Sequence, residues 1–144
     1  MITGTGRDIV LGGHLNDVMT VSDRNAASAS DHNVVLGDDG FVVYDLDGNP
    51  ADIDEIASTS TTFAGGTDAI VSLGGDDIIL GGRFADVLSA GGGQNVVIGD
   101  SGQLLSALGD AARQLPGQPL TIGLITTVQT NDGGDDVITT GDGD

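Results

Sequence analysis

With 144 residues the chain has room for one ordinary domain, yet three Phe, one Tyr and no Trp leave it short of the large side chains that usually build a core. Twenty-two acidic residues against four basic ones give a formal charge of -18, which repels nucleic acid and anionic membranes and favours cationic partners, multivalent metal ions above all. The absence of cysteine excludes disulfides and thiolate metal sites, no apolar run approaches the length of a membrane span, and the opening MITGTGRD lacks the zones of a secretory signal.

The chain begins on a nine-residue rhythm, an acidic or amide residue at frame position six and an aliphatic one at position eight. In residues 1–40 the pairs are Asp8 with Val10, Asp17 with Met19 and, after an Ala- and Ser-rich insertion near residues 24–30, Asn33 with Val35. Residues 41–62 interrupt it with a β-prone run, a turn cluster from Asp45 to Pro50 and a second alternating run, which predicts a β-hairpin. Asp45, Asp47 and Asn49 begin like an EF-hand loop, but Pro50 stands where its glycine belongs, so they read as turn residues.

Residues 63–102 carry four units in unbroken step: Asp68, Asp77, Asp86 and Asn95, followed at position eight by Ile70, Ile79, Leu88 and Val97. Residues 103–130 form a second insert. Its equivalence with the first predicts another hairpin, and the apolar spacing of three and four from Leu104 to Leu115 predicts a short helix at its tip. Asp136 and Ile138 open a third block, 131–144, which stops inside a further GDGD; the chain reads as a fragment of a longer repetitive protein. NVVLGDDG at 33–40 returns as NVVIGDSG at 95–102 and GGTDAI at 65–70 as GGDDVI at 133–138, so a larger module of roughly 62 to 69 residues overlies the short period.

A nine-residue period with one inward aliphatic residue describes a chain wound on itself, a short strand and a corner per repeat. The residues flanking each inward position face outward. On one sheet these are Ile9, Leu11, Val34, Leu36, Ile78, Leu80, Val96 and Ile98, all apolar, so a hairpin insert or a partner chain should cover it. The opposite sheet mixes Val18, Thr20, Ala69, Val71, Val87, Ser89, Val137 and Thr139. Self-association through the apolar sheet or the strand edges at either end is a further expectation.

Stacked corners bring carboxylates about 4.8 Å apart, where two unit charges repel by roughly 0.9 kcal/mol in water and about 3.5 at an effective dielectric of 20. Cations must relieve this, and calcium fits, because it takes six to eight oxygen ligands from carboxylates and backbone carbonyls. Expected ligands are Asp8, Asp17, Asn33, Asp68, Asp77, Asp86, Asn95 and Asp136, with carbonyls near Gly4, Gly6, Gly13, Gly66, Gly75, Gly82, Gly93 and Gly134. Ions should be shared by Asp68 with Asp86, Asp77 with Asn95 and Asp8 with Asn33, while Asp17 and Asp86 look toward corners formed by Asp38 and Asp39 or by Asp100. Asn33 and Asn95 bring less charge and should make weaker sites. Asp76, Asp135 and Asp142 are as well explained as solvated turn residues. His14 and His32, at variable corner positions, should be exposed.

The frame GGxGxDxUx, U being aliphatic, resembles the repeats-in-toxin (RTX) calcium-binding nonapeptide, with GGTDAIV at 65–71, GGDDIIL at 74–80 and GGRFADVLS at 81–89 as its nearest copies. Leu15 and Phe84 depart from it, replacing the second corner glycine. The resemblance implies an all-β fold, a right-handed parallel β-roll with hairpin inserts, calcium held between the corners of successive coils, and a secreted or cell-surface protein exported by a type I route. It implies no catalysis in this segment. GDSG at 99–102 is similar to a serine-protease nucleophile segment, but its counterpart GDDG marks Ser101 as a corner residue. A spacer or adhesin stalk, a module beside a secreted enzyme, and a calcium-dependent filament or surface-layer element are the functions these expectations leave open.

Overall fold

The structure, a computed structural model, describes residues 1–22, 31–59, 64–107 and 115–143. It is all-β, with no helix among the described residues. The nonapeptide strands are β1 (Ile9–Leu11), β2 (Val18–Val21), β3 (Val34–Leu36), β6 (Ala69–Ser72), β7 (Ile78–Gly82), β8 (Val87–Ala90), β9 (Val96–Asp100) and β12 (Val137–Thr140). The inserts supply β4 (Gly40–Val43), β5 (Glu55–Ser58), β10 (Gly102–Ser106) and β11 (Ile122–Thr127).

The chain alternates between two four-stranded parallel sheets, ordered β1-β3-β7-β9 and β2-β6-β8-β12, so that β1/β2, β3/β6, β7/β8 and β9/β12 make four successive tiers. The nine-residue period fixes the register: Val10, Val35, Ile79 and Val97 are paired in one sheet, Met19, Ile70, Leu88 and Ile138 in the other. The first three tiers enclose their inward residues in a common core joined by Val21 and Ala90. In the last tier Val97 is only partly buried and Ile138 is 45% exposed.

The apolar outer face of the first sheet has a second core. The two inserts fold into two antiparallel hairpins, β4 with β5 and β10 with β11, and β5 pairs antiparallel with β10, joining them into a sheet ordered β11-β10-β5-β4. Ile53, Ile56, Leu104, Leu115 and Leu120 from the inserts pack on Val34, Leu36, Ile78 and Leu80, and none of these is more than 4% exposed. An insert sheet therefore covers the apolar face as the alternation required, and only its margin, Ile9 and Leu11, stays open. On the opposite sheet Val18, Val87 and Val137 are exposed.

Gly40 and Gly102, the final residues of the two NVVxGDxG segments, stand where the chain doubles back over the sheet it has just left. A Cβ on Gly40 would collide with Leu36 and with the Ala57 carbonyl, and one on Gly102 would crowd Ile98.

The expected helix from Leu104 does not begin there, since Leu104 to Ser106 lie in β10. The spacing that suggested a helix belongs to a strand whose Leu104 is paired on both sides, with Ile56 and Ile125. The rest of that expectation, residues 108–114, lies outside the described residues, as do the insertion near 24–30, the end of the first insert and Asp144. In the first insert, Asn49 and Ala51 donate backbone N–H bonds to Asp47 and Asn49, which makes the EF-hand-like residues turn-formers.

Candidate metal centre

Two rows of corners run along the stack, one where the chain passes from the first parallel sheet to the second and one where it returns. Position-six side chains line both. In the first row the backbone N–H of Asp17 donates to Asp68 Oδ1 at 2.7 Å, that of Asp68 to Asp86 Oδ1 at 2.8 Å and that of Asp86 to Asp136 Oδ1 at 2.9 Å. In the return row the same ladder links Asp8 to Asn33 (3.1 Å), Asn33 to Asp77 (2.8 Å) and Asp77 to Asn95 (3.0 Å). The nine-residue spacing thus brings together the three pairs expected to share ions.

The rows differ in what their second side-chain atoms do. Oδ2 of Asp17, Asp68 and Asp86 is buried with no hydrogen-bond partner, although a desolvated carboxylate oxygen needs a donor or a cation. Asp68 and Asp86 are each 1% exposed. Desolvation pushes the Asp68 carboxyl up to about 6, against the Asp17 N–H and with the charges of Asp38 and Asp17 adding to the rise. Asp86 is pushed up to about 7, again by desolvation first, against the Asp68 N–H and with the charges of Asp68, Asp136 and Asp38 adding to the rise. Burial also raises Asp136. In the return row Asp77 is raised by burial against hydrogen bonds from Ser72 and Asn33.

Glycines make the room around these oxygens. A Cβ on Gly12, Gly37 or Gly81 would lie under 3.0 Å from the stacked carbonyl of Gly37, Gly81 or Gly99, and also under 3.0 Å from Oδ2 of Asp17, Asp68 or Asp86. At Gly99 it would meet Asp136 Oδ2. A carboxylate oxygen and a carbonyl oxygen thus converge beside Gly12, Gly37 and Gly81, a hard-oxygen set of the kind calcium takes. Among the described residues no three carboxylate or imidazole groups converge on one point, so backbone oxygens are needed to complete a shell.

These four glycines were not among the expected ones, though each directly follows an apolar strand residue, Leu11, Leu36, Leu80 or Ile98, a signal present in the sequence. The expected glycines stand at other points of the corners. Gly66 and Gly134 donate N–H bonds to Asp38 and Asp100, Gly6 donates to Asp31, and Gly82 packs against Asp38. A Cβ on Gly13 would lie 3.6 Å from Asp39 Oδ1, Gly75 and Gly93 stack on backbone of the neighbouring tier, and Gly4 has open space. Gly6, Gly75 and Gly93 hold a positive φ at frame position four, and Leu15 (φ 71) and Phe84 (φ 72) hold it without being glycine.

Asp38, Asp39 and Asp100, expected to form the corners that Asp17 and Asp86 look toward, stand beside the N–H ladder rather than in it. Asp38 accepts the N–H groups of Gly66 and Arg83, Asp100 that of Gly134, and Asp39 pairs with exposed His14 at 2.8 Å. His32 is half-buried rather than exposed, accepting the Asp76 N–H through Nδ1 at 2.9 Å beneath Gly117. Asp31 and Gln118, which sequence reasoning passed over, are both fully buried in the return row.

Parallel strands stacked in register, with glycine and an aspartate or asparagine at the corners, define an acidic repeat protein. Residues 71–103 match the RTX calcium-binding nonapeptide repeat (HemolysinCabind) in four copies. Repeats of this family bind calcium ions, are structural rather than catalytic, and occur typically in secreted proteins. No curated protein and no solved structure matches the chain.

Proposed function

We propose that this chain is a calcium-dependent structural segment of a secreted or cell-surface protein, its two parallel sheets forming the walls of one right-handed β-roll that serves as a spacer or adhesin scaffold. Calcium would be held along the first corner row by Asp17, Asp68, Asp86 and Asp136 with the carbonyls of Gly37, Gly81 and Gly99. When bound it supplies the positive charge that lets buried carboxylates stack. The protein's own part is to align these oxygens through the N–H ladder and to bury them on a metal-free core of aliphatic residues. The observation that carries the reading is the row of buried, donorless Oδ2 atoms on Asp17, Asp68 and Asp86.

Binding is then coupled to folding. In low calcium the acidic chain stays loose, and at about the 10⁻⁴ to 10⁻³ M to which extracellular modules are tuned it winds up. A spacer role is supported by the larger module, whose inserts build a second layer across the tiers. Circular dichroism during a calcium titration at neutral pH, repeated with magnesium, tests it. Strand signal should rise with calcium and far less with magnesium; a complete strand signal in chelator, unchanged by calcium, would remove the proposal.

A further inference from the structure

The return row solves the same packing problem with protein atoms. Asn33 Oδ1 accepts the Asp8 N–H and Asn95 Oδ1 accepts the Asp77 N–H, which fixes the nitrogen of each amide on the opposite side. Asn33 Nδ2 donates to the Asp31 carbonyl at 2.8 Å and to Asp77 Oδ1 at 3.0 Å. Asn95 Nδ2 donates to the carbonyls of Gly91 (2.9 Å) and Gly93 (3.2 Å). In both cases the acceptor at frame position four is a corner carbonyl two residues upstream. Asp77, between the amides, receives the Ser72 hydroxyl on Oδ2.

A third amide reaches in from the second insert. Gln118, fully buried, donates through Nε2 to the carbonyls of Asn33 (2.9 Å) and Asp76 (2.7 Å). From Asn33 through Asp77 to Asn95 the position-six side-chain oxygens therefore already have N–H or O–H donors, whereas Oδ2 of Asp17, Asp68 and Asp86 has none; in the return row the buried atoms left without a partner are Asp8 Oδ2, Asp31 Oδ2 and Gln118 Oε1.

We propose that Asn33, Asn95 and Gln118 stand in for cations, so that the segment of the return row from Asn33 through Asp77 to Asn95 closes by hydrogen bonding alone and takes no calcium. Calcium uptake is then confined to the carboxylate row, apart from the end of the return row at Asp8 and Asp31, whose Oδ2 atoms also lack a partner. The inference rests on the calcium-binding reading above and assigns its ions to one side of the stack. It makes the choice between Asp and Asn at frame position six a switch between metal-filled and metal-free corners.

The test counts calcium ions per chain by equilibrium dialysis and follows side-chain amide hydrogen exchange by NMR in the full chain. Asp77→Asn should leave the count unchanged, Asp86→Asn should lower it, and Asn95→Asp should raise it by turning a donor into a ligand. The Asn33 and Asn95 amide protons should remain protected from exchange at saturating calcium. A count that falls in Asp77→Asn, a count unmoved by Asn95→Asp in a folded variant, or amide protons that lose protection as calcium is added would overturn the inference. Should Asp86→Asn fail to fold, the Asp77→Asn count and the amide exchange still decide. A wild-type chain that binds no calcium would instead defeat the functional reading, with the amide protection still reporting on the return row.

Discussion

Protons should do part of calcium's work in the carboxylate row, and that makes the metal-free protein respond to pH in an unusual direction. Asp86 and Asp68 are raised to about 7 and about 6 from 3.8, chiefly by desolvation. The folded chain therefore keeps protons that the unfolded chain has already released between about pH 4 and pH 7, and stability falls as pH rises through that window. At about 1.4 kcal/mol per unit, the shifts correspond to roughly 4 kcal/mol for Asp86 and roughly 3 for Asp68. Because the two are joined through the ladder, the protons belong to the row and the sum is an upper bound. Protein stripped of metal over chelating resin should show more strand signal by circular dichroism, and a higher unfolding midpoint, at about pH 5 than at about pH 7.5. Saturating calcium should reverse the slope, since ions and protons compete for the same oxygens. A metal-free stability that is flat or rises over this range would refute the claim that Asp68 and Asp86 are buried without compensation.

Leu15 holds φ 71 while 72% exposed, so Leu15→Gly should remove backbone strain without opening the core and stabilise the calcium-loaded protein by about 0.5 to 1 kcal/mol in denaturant unfolding. Phe84 is a poorer target despite its φ of 72, because its ring lies 4.6 Å beneath the Arg83 guanidinium. Leu104 is fully buried between the insert sheet and the first parallel sheet, so Leu104→Ala should cost about 2 to 5 kcal/mol and increase binding of a hydrophobic dye. The number of calcium ions bound should not change, since Leu104 touches neither corner row.

The parallel sheets were legible because a strict period of nine leaves few ways to stack: Val10, Val35 and Ile79 had to fall in register once Asp8, Asn33 and Asp77 did. The covered face was legible for a similar reason, as Val34, Leu36, Ile78 and Leu80 could not all face water. The glycines were harder. Gly66 and Gly82 stand at frame positions four and two, but the space beside an Asp carboxylate comes from the glycine that opens the same corner: Gly12 for Asp17, Gly37 for Asp68, Gly81 for Asp86 and Gly99 for Asp136. The join between β5 and β10 and the reach of Gln118 into the return row are contacts between segments far apart in sequence, with no local pattern to announce them. Leu104 misled because three- and four-residue apolar spacing over so short a stretch does not separate a helix from a strand.

The β5–β10 join changes how the molecule can come apart. In a stack where each layer touches only its neighbours, terminal layers peel away singly and the free energy is lost in small increments. Here the strap formed by the two hairpins ties the second layer to the fourth, because β4 and β5 spring from one and β10 and β11 from the other. Traction along the axis must shear that strap before the third layer can yield, so rupture should proceed in steps of two layers rather than one.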